Sequence, residues 1–184
     1  MDANRTVQVI RCRRKSIGIR VTDGGEVIVR APLRTPDAEI RRVLESKRAW
    51  IEKTLEKVNS RAQAPELTAG EIEDLADRAL KEIPPRVKMW AGRIGVTCGR
   101  ITIRNQKTRW GSCSAKGNLN FNCVLMLCPE AVLDYVIVHE LCHRKELNHS
   151  PRFWAAVESV LPDYKDRRKW LKDHGPAILA RMTG

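Results

Sequence analysis

The chain has 184 residues, 42% of them hydrophobic and 30% charged, enough for one ordinary core or two small lobes. No window approaches about eighteen uninterrupted apolar residues, which excludes a membrane-spanning helix, and the opening MDANRTVQVIRCRRK lacks the apolar core of a signal peptide, so a soluble cytoplasmic protein is expected. The net charge of +12 is uneven: residues 1–62 carry fifteen Lys/Arg against eight Asp/Glu, residues 63–95 five against six, and residues 96–184 fourteen against eight, an excess that suits DNA, RNA or another acidic partner as well as a solvated basic surface.

The first thirty residues read as strands. Ile17, Ile19 and Val21 alternate with polar neighbours, as do Val27 and Val29, and Asp23-Gly24-Gly25 between them signals a hairpin turn. Arg11, Arg13 and Lys15 share one strand face by the same period of two. Thr35-Pro36 matches a helix N-cap followed by proline at the first helical position. Ile40, Val43, Leu44, Ile51, Leu55 and Val58 follow at helical spacing to about Asn59.

Residues 59–67, NSRAQAPEL, are the only linker-like stretch, separating an N-terminal β-hairpin and helical segment, 1–62, from a core over 68–184. Thr68-x-x-Glu71 is a capping box, and Ile72, Leu75, Ala79 and Leu80 form an apolar stripe that Pro84-Pro85 should kink or break and that Gly92 and Gly95 finish. Ile101 and Ile103 mark a short strand. RWGSCSAKGNLNFNCVLML then gives two extended segments about a turn at Ala115–Asn118, and Pro129-Glu130 opens a helix with Val132, Leu133, Val136 and Ile137 on its apolar positions.

That helix carries HELCH, residues 139–143. Histidines four apart lie one turn apart on one face, so two imidazoles reach one ion. Glu140 is about 100° around the axis from His139, placed to contact a water on the metal rather than the metal itself. Neutral imidazoles leave the ion its charge, which lowers the pKa of such a water to about 7 for a carboxylate to deprotonate. His149 is the first candidate for a third ligand. The helix has to end before it, with Asn148 in a left-handed conformation and Ser150-Pro151 starting a new helix. Three of the chain's four histidines fall within eleven residues, which core packing does not explain. Glu158, on the next helix, is the rival third ligand, and His174 in Lys172-Asp173-His174-Gly175 reads as a helix C-terminus. The six cysteines form no C-x-x-C pair, so a four-cysteine zinc site is not expected, and most are read as small buried hydrophobes.

The runs QKTRWGSCSAKGNLNFN, LDYVIVHELCH, NHSPRFW and LPDYKDRRKWLK resemble the YgjP-like metallopeptidases, also described as predicted metal-dependent hydrolases, strongly over residues 96–174 and more loosely in the N-terminal strands. G-S-C, Gly117-x-Leu119 and HExxH are similar, more broadly, to SprT-type and Spartan-type proteases. The resemblance implies an α+β, small zincin-like fold, its helix-borne HExxH packed beside a short, mainly antiparallel sheet. It implies His139, His143 and His149 as Zn2+ ligands and Glu140 as the catalytic carboxylate. Glu146 stands at the metzincin glycine position, and the only later methionine is Met182, so the chain is not read as a metzincin.

Peptide-bond hydrolysis is therefore expected, with Glu140 moving the proton and a substrate segment adding to the strand around Leu119–Val124 as the sheet edge. Tyr164 is a candidate oxyanion donor, and Trp110, Phe153 and Trp154 are candidate cleft walls. The alternatives are a metal-dependent hydrolase of a non-peptide amide and a basic nucleic-acid-binding module whose structural zinc is closed by Cys113 or Cys142. The charge, and the likeness to SprT-type proteases, make DNA or RNA a partner to test alongside protein or peptide substrates.

Overall fold

The computed structural model describes residues 7–22, 24–62 and 65–182. Alternation of Val27, Val29 and Ala31 with outward neighbours produces β3 (Val27–Pro32), whose three inward side chains are buried. β3 is the middle strand of a three-stranded sheet, parallel to β1 (Val7–Cys12) and antiparallel to β2 (Gly18–Val21). Gly25 takes the positive φ, 79°, that turns β2 into β3, while Asp23 lies outside the described residues. β1 ends at Cys12, so Arg13 and Lys15 lie beyond it and share no strand face with Arg11. Arg11 itself is engaged with Asp37 and the Thr35 carbonyl.

The helical stretch that follows is two helices, α1 (Asp37–Ser46) and α2 (Arg48–Ala62), rather than one. Its apolar positions leave a gap between Leu44 and Ile51, and Lys47, with φ −108° and ψ 8°, breaks the run inside that gap. The N-cap is Pro36, one residue later than expected. Val29, Ala31 and Ile40 form the core of this first unit, Met1–Gln63.

The second unit, Ala64–Gly184, opens on Leu67, which is buried and so belongs to the core rather than to a linker. The capping box forms as expected: Thr68 accepts from the Glu71 N–H and Glu71 accepts from the Thr68 N–H. From it α3 (Ala69–Ile94) runs unbroken through Pro84 and Pro85 to Gly95, a left-handed cap. The prolines leave the carbonyls of Leu80 and Lys81 without their helical donors, and both residues are exposed, on the side of the helix where solvent can take the donors' place. On the opposite face Leu75, Ala79, Ile83, Val87, Trp90, Ala91 and Ile94 are buried along the whole length. That continuous burial outweighs a local cost of roughly 3 kcal/mol per proline. Leu80 is not part of the stripe.

β4 (Ile101–Arg104), β5 (Gly111–Cys113) and β6 (Leu119–Asn122) make a second sheet in the order β4-β6-β5. β5 and β6 form the expected hairpin, turning at Gly117 with φ 85°, and β4 runs parallel to β6. The α+β class is as expected, but each sheet is mixed rather than mainly antiparallel. β6 is central, not an edge, because β4 and β5 pair with its two sides. CVLML, expected to be extended, is a 3-10 helix (Cys123–Leu127) with Asn122 as its cap. Among the described residues no helix is long and apolar enough to cross a membrane, and all six cysteines are free, Cys123 and Cys142 being buried.

Candidate metal centre

α4 (Glu130–Cys142) is apolar on nearly all sides and buries Val132, Leu133, Tyr135, Val136, Ile137, Val138, Leu141 and Cys142, as a helix through the middle of a core must. His139 and Glu140 occupy its last turn, and His143 is its C-cap. The chain then turns back through residues 144–149 without any left-handed residue. Asn148 contributes instead by accepting the Ser150 N–H on its Oδ1 at 3.2 Å. Ser150 caps α5 (Pro151–Val160) through the Phe153 N–H, with Pro151 in the first turn, as the sequence indicates.

This turn brings His149 to His139, Nε2 to Nε2 at 2.9 Å, and one ligand nitrogen from each of His139, His143 and His149 falls within 4.8 Å of the others. Zinc–nitrogen bonds of about 2.0–2.1 Å span nitrogens up to about 4.2 Å apart, so small side-chain shifts fit the three to one ion. The His143 Nδ1–H donates to the Glu146 carbonyl at 3.1 Å, which leaves its Nε2 free as a ligand atom. Burial, then the charges of His143, His149 and Arg168, push the His139 pKa down to about 3, so the ring is neutral, as a metal ligand must be. Burial also lowers the His149 pKa.

Phe153 is fully buried beneath the cluster, 4.9 Å from the His139 ring, 4.6 Å from His143 and 4.8 Å from His149. Trp154 stacks on His149 at 5.7 Å and on Tyr164 at 5.6 Å. Tyr164 is thus buried in an aromatic stack. Tyr135, which the sequence did not single out, lines a cavity of about 230 Å³ with His139, Glu140, Arg109, Trp110, Gly111, Val136 and Leu171. Arg109 and Gly111 also line an adjoining cavity of about 320 Å³ with Cys113 and the three histidines. Glu158 pairs with Lys165 at 3.0 Å. His174 sits inside α6 (Tyr164–Ala180), its ring 4.8 Å from that of Trp170 and tilted against it, rather than at a helix end. α6 continues because Gly175 lets it lie against Trp110, where a Cβ would come within 2.8 Å of the indole.

Burial alone raises the Glu140 carboxyl to about 7, where it can both take and return a proton near neutral pH. Its side chain rests on Gly111 of β5, where an added Cβ would come within 2.9 Å of Cγ and 3.0 Å of Oε1. Gly111→Ala is therefore expected to push the carboxylate aside, cutting turnover by about a hundredfold while moving the thermal midpoint by only a few degrees. Steady-state kinetics and a melt on the same preparation check both halves. Of the two candidate thiols, Cys142 is buried in the core, and Cys113 lines the cleft with its thiol pKa raised by burial and by Glu140.

The chain is similar to several known proteins. The chain is 30% identical over 106 residues, 54% of its length, to the UTP pyrophosphatase of Escherichia coli (strain K12), of which it spans 64%, less than two thirds. The metallopeptidase zymogen abylysin of Pyrococcus abyssi is 26% identical, over 49% of this chain and 93% of its own, with a TM-score of 0.44. The zymogen jannalysin of Methanocaldococcus jannaschii is 22% identical, over 50% and 94%, with a TM-score of 0.45. The model of the YgjP-like family, metallopeptidase domain, matches residues 15–75 and 71–174, most of the sequence, and the chain belongs to that family.

Proposed function

We propose that the chain is a metal-dependent hydrolase that cuts peptide bonds, with His139, His143 and His149 holding a zinc ion and Glu140 as general base. The supporting observation is the convergence of three imidazoles beside a buried carboxyl raised to about 7. A bound divalent ion supplies a Lewis acid that acidifies water and polarises a carbonyl. Glu140 takes a proton from water at its carboxylate and returns it to the leaving nitrogen. The three closely packed imidazoles hold the donor set. Among the described strands β5 pairs only with β6, so its outer edge, rather than β6, receives an extended substrate through main-chain hydrogen bonds. In this scheme residues 68–184 carry the chemistry and 1–62 form an accessory segment.

The name of the Escherichia coli relative supplies a second bond type, the phosphoanhydride. It is favoured by Arg109, a cation that lines both cavities. Offering the zinc-loaded chain an unfolded protein and UTP in separate assays decides between them. Peptide products that vanish with a chelator and return with zinc are expected. Turnover of UTP with no peptide cleaved would replace the first bond by the second, and no turnover of either would remove the hydrolase.

A further inference from the structure

The sheet of the first unit has two faces of opposite chemistry. Val29 and Ala31 of β3 and Ile19 of β2 point inward, where Ile40 and Leu44 of α1 pack with them. Alternate positions point the other way. On that outer face Arg30 of β3 stands opposite Gly18 of β2, and Arg20 stands opposite Ile28. Both arginines are exposed.

A third guanidinium joins them from the loop between β1 and β2. Gly18 has no side chain, and Arg14 fills the space: a Cβ on Gly18 would come within 2.7 Å of Arg14 Nη2 and 2.9 Å of its Nη1. The Arg14 guanidinium therefore lies over β2 beside Arg30. Directly opposed residues have Cβ atoms about 5 Å apart, and alternate residues of one strand are about 7 Å apart. Three positive charges thus share one small patch of sheet.

No described group balances them. Arg14, Arg20 and Arg30 form no ion pair among the described residues, whereas Arg11 is matched by Asp37. The Arg14 Nε–H is buried without a hydrogen-bond partner. Glu26, the nearest acid before Arg30 in sequence, is four residues away, about 13 Å along an extended strand. Like charges side by side destabilise a sheet, and an unpaired buried N–H adds its desolvation cost. An anion laid across the patch removes both costs.

Ile10 of β1, opposite Arg30, and Ile28 put half-buried apolar surface between the guanidiniums. Guanidinium forks receive phosphate oxygens, and their planes receive the faces of unstacked bases. Three strands span about 10 Å between outer axes before side chains are added, too broad for a major groove of about 12 Å that takes one helix or a two-stranded ribbon. A single strand lies flat across such a face. A lipid surface needs protruding apolar side chains, and Ile10 and Ile28 are not among the exposed ones.

We propose that the outer face of the β1-β3-β2 sheet, through Arg14, Arg20 and Arg30, binds single-stranded DNA or RNA along its phosphate backbone. The accessory unit then has a function of its own, independent of the hydrolytic centre.

Fluorescence-anisotropy titration of the full chain with labelled oligo-dT and oligo-U at rising salt tests it. The wild type binds both more tightly than a duplex of the same length, and affinity falls log-linearly with salt. The triple variant Arg14→Gln, Arg20→Gln, Arg30→Gln loses about a hundredfold at about 0.1 M salt and flattens the slope by about 2, three contacts at about 0.7 each. Its melting midpoint is unchanged or higher, since like charges have been removed. Lys81→Gln, Lys88→Gln and Lys172→Gln together, exposed and in the other unit, remove the same charge and leave the slope unchanged. A metal chelator leaves binding unchanged as well. No binding by the wild type at about 0.1 M salt, equal losses in the two triple variants, or loss on chelation overturns the proposal. Tighter binding to the duplex overturns the single strand. Arginine-dependent binding to phosphatidylserine vesicles, with neither oligonucleotide bound, overturns the nucleic acid and makes the face a membrane contact.

Discussion

Replacing His139 and His143 together with alanine is expected to abolish tight zinc binding, lowering affinity by at least about a thousandfold, on the order of 4 kcal/mol. The two rings are fixed to the end of α4, with centroids 5.0 Å apart, and share Phe153 as their floor, so the double variant leaves His149 as the one histidine of the cluster. Cys142 between them is buried in the core. His149→Ala should come next in severity, since its Nε2 meets His139 at 2.9 Å. Glu158→Gln should change little, because that carboxylate faces Lys165. Competition with a chromogenic chelator ranks the four proteins. Full zinc occupancy in the double variant would end the assignment, and a larger loss in Glu158→Gln than in His149→Ala would move the third ligand.

Glu140→Gln should keep both fold and zinc while losing turnover by about a hundred- to ten-thousandfold. The amide has the volume of the carboxyl it replaces, so its contact with Gly111 is preserved. Burial disfavours the carboxylate charge, and a neutral amide carries no such cost, so stability should hold or rise slightly. Equal zinc content, an unshifted or higher melting midpoint and lost hydrolysis together identify a proton carrier. Near-wild-type turnover would remove Glu140 from the mechanism.

The histidine cluster was legible because its information is local. The i, i+4 pair, the acid next to it, and Ser150-Pro151 restarting a helix all lie within thirteen residues of sequence. Even there the turn was realised differently, by the Asn148 side chain rather than by a left-handed backbone. The walls of the cleft were not legible in the same way. Gly111 touches Glu140, Trp110 touches Gly175, and Arg168 stacks on Trp154, all through packing between elements distant in sequence. Strand order was hidden for a related reason: alternation shows which side of Leu119–Asn122 faces inward but not that both its edges are paired. The double proline in α3 misled in the opposite sense, since a strong local rule yielded to burial along 26 residues.

The compactness of the histidine segment also bears on how an ion couples to folding. His139, His143 and His149 span only eleven residues, so the loop that must close for them to meet is short even in an unfolded chain. A denatured ensemble would keep part of its ability to chelate, and an ion that binds both states stabilises the folded one only by the difference. Zinc should then raise the melting temperature of this protein by less than its affinity for the native site alone would dictate. It should also be captured early, while the chain around it is still assembling.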